Sequence, residues 1–265
     1  MRATIGTITR GVLQDQRRSL AVWAVAIAAI SAMYSAFFPT IDAGDWETML
    51  DSMPPELTTA MGFDDIATAS GYVTSTVYAL LGIVLLLVYG ISQGAKLVAG
   101  EEEAGTLELE LTAPVTRTGT YVERLVALWL GLLTLVAAVS VTMIVLSVAI
   151  PLDLSGTNIL ATGALMWLAG GLFATLALAV GATTGRRSIG LGVGAGAAVL
   201  MYAFNALGPL TGWSWMTTVS PFDWYLGADP LATGMDAARA ALLLGCSALF
   251  AAAGYVGIGR RDLMV

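Results

Sequence analysis

The chain has 265 residues, of which 57% are hydrophobic and only 12% charged, with a net charge of −7 at pH 7. Soluble domains carry roughly 25% charged residues, so a water-facing globular fold is excluded and lipid is the solvent that fits. With no histidine and a single cysteine, Cys246, the chain can build neither Ser-His-Asp nor Cys-His nucleophilic sites, His-ligated zinc, haem on histidine or an internal disulfide.

Residues 1–19 place Ile5, Ile8, Val12 and Leu13 at helical spacing with arginines elsewhere on the wheel, which predicts an amphipathic interface helix. Six stretches then reach the roughly 20 apolar residues needed to cross a bilayer: about 20–38, 73–91, 125–150, 159–182, 189–207 and 237–258. Small residues near 31–36 mimic a signal-peptide cleavage region, but five further spans make the first one read as an uncleaved signal-anchor. Helices are the expected form, because open strands in lipid leave backbone groups unpaired. Pro39, Pro54, Pro55, Pro114, Pro151, Pro209, Pro221 and Pro230 all fall at ends or in connections. The fifth span carries two small-xxx-small pairs, Gly190/Gly194 and Gly192/Gly196, which invite close approach of a neighbouring helix in this chain or in a second copy. Segment 208–236 holds Trp213, Trp215, Phe222, Trp224 and Tyr225; it reads either as an interfacial aromatic belt or as a pair of short re-entrant helices. Cys246, in the sixth span, reads as a small buried hydrophobe.

Charge orients these spans. Arg2, Arg10, Arg17, Arg18, Lys96, Arg117, Arg124, Arg186, Arg187, Arg260 and Arg261 share one side, and only Arg239 falls on the other. The basic side is expected to be cytoplasmic, with both termini there. Segment 40–72 has Asp42, Asp45, Glu47, Asp51, Glu56, Asp64 and Asp65 without a basic residue, and Asp153, Asp223, Asp229 and Asp236 join them on the outer side. Eleven carboxylates thus face one arginine outside, and eight face eleven cations inside.

The most informative stretch lies between the second and third spans, from Gly100 to Arg117. Glu101–Glu103 are expected to form the acidic first turn of a short helix, with Ala104, Leu107 and Leu111 on one narrow apolar face. Pro114 ends that helix, and Thr120 with Glu123 has capping-box spacing that would restart helix into the third span. A cytoplasmic protein partner would explain such a stripe; folding back on the chain's own bundle would explain it equally.

The pattern Glu102-x-x-Gly105-Thr106-Leu107-x-x-x-Leu111-x-x-Pro114-Val115-x-Arg117, directly after a second span, resembles the signature of ABC-2-type permeases, the membrane subunits of ATP-binding-cassette exporters. The resemblance covers nearly the whole chain in order and length. It implies an all-α fold in one transmembrane domain: an N-terminal interface helix, six spans, re-entrant outer helices before the last span, and cytoplasmic termini. It implies that 100–117 is a coupling helix seated on a nucleotide-binding subunit, through Glu102, Gly105, Thr106, Leu107, Leu111, Pro114 and Arg117. It also implies a substrate pathway at the first, second and fifth spans, for which the polar candidates are Ser31, Tyr34, Ser35, Thr74, Ser75, Tyr78 and Asn205. Gly105 and Pro114 could instead only shape the turn, and Arg117 could only anchor at headgroups.

What is missing agrees with that resemblance. There is no Gly-x-x-x-x-Gly-Lys-Ser/Thr phosphate loop, and Lys96 is the only lysine, so this chain is expected to be no enzyme and to hold no cofactor, with ATP and Mg on a partner subunit. The expected partners are that ATPase, a second permease copy or a related permease, and the bilayer, with no nucleic acid. The absence of charges near span centres argues against a proton- or sodium-coupled carrier. The expected cargo is hydrophobic or amphipathic and is exported; the rival reading is a non-transporting subunit coupling an ATPase to maturation, signalling or remodelling outside the cell. The topology is checked by cysteine labelling of intact cells. Asp51→Cys is expected to react with an impermeant maleimide, and Arg187→Cys only after the membrane is opened; the opposite pattern would invert the orientation.

Overall fold

In lipid each backbone amide must be bonded within its own segment, and this chain meets the demand with helices. The computed structural model describes residues 6–40, 48, 52–54, 58, 66–105, 116–150 and 152–261. Among them the elements in chain order are α1 (Thr7–Phe37), α2 (Ala69–Glu103), α3 (Arg117–Ala149), α4 (Gly156–Thr184), α5 (Arg187–Thr211), the short helices α6 (Ser214–Thr218), α7 (Pro221–Leu226) and α8 (Pro230–Thr233), and α9 (Ala237–Arg260). Six of these, α1 to α5 and α9, are long and apolar enough to cross a membrane. No strand occurs among the described residues.

The long helices overrun the predicted spans. At 31 residues, α1 is about 46 Å long, whereas the hydrocarbon core is about 30 Å thick. The amphipathic segment, from Thr7 onward, and the first span are therefore one uninterrupted helix. α2 departs from uniform α-winding: Thr74–Gly82 and Lys96–Gly100 are π-wound, with α-helix before, between and after. Nothing in the residue pattern announces these wider turns, which form where one extra residue is accommodated inside a helix.

Two expectations about helix ends are corrected. Glu101–Glu103 are the last turn of α2, not the first turn of a new helix. Gly105 ends that turn in the left-handed region, at φ 69°, where its N–H donates to the Glu102 carbonyl (3.0 Å); glycine takes this conformation without a Cβ penalty. The Thr120–Glu123 capping box does not form either. Thr116 caps α3 instead, its Oγ1 accepting from Gly119 N (3.1 Å), and Thr120 lies inside the helix with a buried hydroxyl. The expected apolar stripe on Leu107 and Leu111, and the stop at Pro114, lie outside the described residues.

α4 is the core of the bundle, apolar on every side and packed against α2, α3, α5 and α9. Between helices in lipid the hydrophobic effect supplies no attraction, so close van der Waals packing must do so. Gly94 of α2 lies directly against the Ala174 carbonyl of α4, and Gly190 of α5 is so close that a Cβ would stand 2.7 Å from the Ala177 carbonyl oxygen. Gly194 packs against Ala177 and Ile91. The Gly190/Gly194 pair thus serves contacts within the chain, whereas Gly192 and Gly196 face outward with nothing within 4 Å of an added Cβ. α1 packs chiefly on α3 and on the π-wound part of α2.

The short helices return toward the bundle. Ser220 Oγ donates to the Met201 carbonyl (2.9 Å), ten residues back from the end of α5, which is about 15 Å along its axis. Phe222 stacks on Phe173 of α4 and meets Tyr202 of α5 edge-on, and Tyr225 donates to the Tyr78 carbonyl (3.3 Å). The aromatics of this segment therefore divide: Phe222 and Tyr225 are buried, while Trp213 and Trp215 are exposed. The packing gives a paired test. Gly94→Ala is expected to destabilise the bundle by about 1–3 kcal/mol through overpacking, and Gly192→Ala to leave it unchanged, measured as thermal unfolding in one detergent.

Candidate functional site

The two ends of the bundle differ in charge. At the acidic end Arg239, at the start of α9, holds the Asp223 carboxylate (3.0 Å) and lies near Asp236 (3.7 Å), the residue that caps its own helix. Asn158 of α4 donates to the carbonyls of Leu231 (3.0 Å) and Ala232 (2.8 Å) and so fixes α8. These bonds fasten the short helices.

The basic end is built around Glu101, Glu102 and Glu103. Carboxylates at a helix C-terminus oppose the helix dipole, so the last turn of α2 needs positive partners from elsewhere. Each glutamate finds a different one. Glu101 pairs with Arg124 of α3, whose guanidinium has no exposed surface and which also donates to the Leu97 carbonyl. Glu102 pairs with Arg261, the residue after α9. Glu103 accepts from the backbone N–H of Arg187 (2.8 Å), the first residue of α5, where the positive end of that helix dipole favours a carboxylate.

The neighbours of these residues extend the clasp. Glu123, beside Arg124, accepts from the N–H groups of Ile8 (2.9 Å) and Thr9 (3.1 Å), and its carbonyl accepts from Thr9 Oγ1 (2.9 Å). Two of the unpaired donors at the start of α1 are thereby satisfied from α3. Arg117 Nη1 donates to the Arg261 carbonyl (3.0 Å), and the Arg261 guanidinium lies against Gly185 in the turn between α4 and α5. These bonds thus tie α1, α2, α3, α5 and the end of α9 together, with the α4–α5 turn resting against Arg261.

Of the expected ATPase-contact residues, Glu102 faces inward, Gly105 shapes the end of α2, and Arg117 is exposed at the start of α3. Thr106, Leu107, Leu111 and Pro114 lie outside the described residues. From the sequence Arg124, Arg187 and Arg261 read only as charge, and Glu123 as one half of a capping box with Thr120. The separation of these arginines from residues 101–103 along the chain hides the pairing, and a basic residue near the start of α3, at the start of α5 and after α9 is the one available signal.

The expected pathway residues form two groups. Ser31 and Ser35 lie on the buried face of α1, with Ser35 Oγ against Met143 Sδ (3.5 Å). The half-buried Tyr34 offers its carbonyl to Tyr72 OH (3.1 Å). Thr74, Ser75 and Tyr78 all fall within the π-wound stretch of α2. Tyr78 is fully buried, and its hydroxyl has no partner among the described residues. Asn205, half-buried toward the C-terminal end of α5, stands apart, because α5 packs chiefly on α4 and on the Ile83–Gly100 part of α2. Between α2 and α5 runs an apolar groove of about 450 Å³, lined by Leu80, Val84 and Val88 on one wall and Leu191, Ala195 and Val199 on the other, with Phe222 at one end.

Among curated proteins no match to the chain is found. The family of ABC-2 family transporter proteins matches residues 8–263. With six membrane-crossing helices, this places the chain, over essentially its whole length, in the ABC-2 transporter family as a multi-pass membrane protein.

Proposed function

We propose that this chain is the permease subunit of an ABC exporter, moving a hydrophobic or amphipathic substrate, drug-like or lipid-like, out of the cell. The ATP is hydrolysed by a separate nucleotide-binding subunit, which carries the ATP and Mg; this chain contributes no catalytic residue. Membrane subunits of the ABC-2 family work with ATP-binding subunits. The basic end is the cytosolic one, both termini lie there, and two copies or two related permeases pair across the membrane. The short helices α6 and α7 re-enter the outer leaflet.

The observation that carries this reading is the position of the clasp. The coupling segment begins where α2 ends, and there three consecutive carboxylates engage α3, α5 and the end of α9. A push on that segment is therefore a push on several spans at once. ATP binding draws the two motor subunits together, the coupling segments follow, and the spans tilt between inward- or laterally open and outward-open arrangements. The cargo class rests on the groove between α2 and α5, whose walls are almost wholly apolar. The end of the π-wound stretch of α2, at Ala79 and Leu80, borders this groove, and such bulges occur often at functional sites.

The test begins with docking. Leu107→Asp is expected to abolish co-purification with the partner ATP-binding subunit while leaving the helical content and detergent elution unchanged. Undiminished co-purification would refute the coupling role of residues 100–117. In liposomes, ATPase activity stimulated by an apolar cargo supports export. Activity indifferent to every cargo and dependent on an extracytoplasmic protein supports the non-transporting alternative.

A further inference from the structure

Within the clasp the three glutamates are not equivalent. Glu101 is anchored: Arg124 is wholly buried, bonds the Leu97 carbonyl as well, and sits beside Glu123, which holds α1. Glu103 meets a single backbone N–H. Glu102 makes the one side-chain contact between α2 and the end of α9 among the described ion pairs, and that pair is incompletely satisfied. Only Oε1 of Glu102 is engaged by Arg261. Glu102 Oε2 and Arg261 Nε and Nη1 are buried without partners among the described residues.

A guanidinium offers five donors in a rigid fork, and donors left idle in a low-dielectric site are costly. The pair therefore rests on one bond, and that bond is the side-chain joint between α2 and the end of α9. Arg261 is also where several elements converge. Its backbone has left the helix, at φ −89° and ψ 134°; its carbonyl receives Arg117 from α3; its side chain rests on the α4–α5 turn at Gly185. A side chain joined to α2 and seated on the α4–α5 turn transmits displacement between them.

We propose that Arg261 is a positioning residue for the transport cycle: its ion pair with Glu102 makes α9 and the α4–α5 turn follow the end of α2 when the coupling segment moves. This rests on the permease reading given above. Arg261 lies outside the segment 100–117 and meets it through Glu102 and Arg117, so its loss is expected to uncouple movement without preventing docking.

The test uses the complete complex with its ATP-binding subunit, in a Cys246→Ala background. Spin labels are placed at Val126→Cys on α3 and Tyr255→Cys on α9, both exposed positions, and their separation is measured without nucleotide and with ATP plus vanadate. Arg261→Glu is expected to keep subunit capture within about twofold of wild type, and Arg261→Glu and Glu102→Arg are each expected to reduce the ATP-dependent change in separation to below about one-fifth. The double exchange, which restores the pair in reverse, is expected to recover at least about half of that change. Full movement in either single variant, or no recovery in the double, overturns the proposal. If the charge reversals fail to assemble, Glu102→Gln keeps the shape and removes the charge; an undiminished change in that variant overturns it equally. A wild-type complex that captures no ATP-binding subunit contradicts the permease reading itself, an outcome distinct from capture without uncoupling.

Discussion

A guanidinium with no exposed surface must find its countercharge inside the protein, and Arg124 finds Glu101 at the end of α2. Removing one partner of such a buried pair costs about 3–5 kcal/mol, because the charge left behind has neither water nor partner. This requirement fixes α2 against α3 at the basic end. The adjacent residues use the same register: Glu123 reaches α1, while Glu102 and Glu103 reach the end of α9 and the start of α5. A helix bundle in lipid gains little from burying apolar surface against other apolar surface. Cohesion here has two sources: close packing along α4, and charge-assisted bonds at its ends.

The two ends use the second source differently. At the acidic end a single arginine, Arg239, and one asparagine, Asn158, hold the short helices to the start of α9 and of α4. The result is a fixed cover, closed further by Phe222 and Tyr225 packing inward. At the basic end the bonds are shared among α1, α2, α3, α5 and the end of α9, where the segment proposed for coupling begins. Between the ends lie the π-wound stretch of α2 and the apolar groove it borders. On the proposed permease reading, the basic end would be the receiving point, the π-wound stretch the part of α2 that gives, and the acidic end a braced cover.

Much of this was legible in the residues. Composition and run lengths predict six spans, and each predicted span coincides with an observed helix to within one residue at its end. Gly190 and Gly194 announce a close helix contact, and the motif from Glu102 to Arg117 announces the family. What stayed hidden depends on contacts distant in sequence. Glu101–Glu103 look like a helix start because acids favour N-termini; only partners on α3, α5 and after α9 let them end a helix instead. Thr120 and Glu123 have capping spacing, but Glu123 is drawn to the start of α1, which offers two bare N–H groups, and Thr116 takes the capping role. The π-winding of α2 has no signature in hydropathy, since i to i+5 bonding leaves the apolar content of the span unchanged.

The claim on which the account turns is that the basic end receives a separate ATP motor. Hydrogen–deuterium exchange of the purified protein, with and without the ATP-binding subunit, addresses it directly. The account predicts added protection concentrated in residues 100–117 and the adjoining start of α3, with the acidic end unchanged. Protection at the acidic end alone, or none at 100–117 while the two proteins are bound, would contradict it.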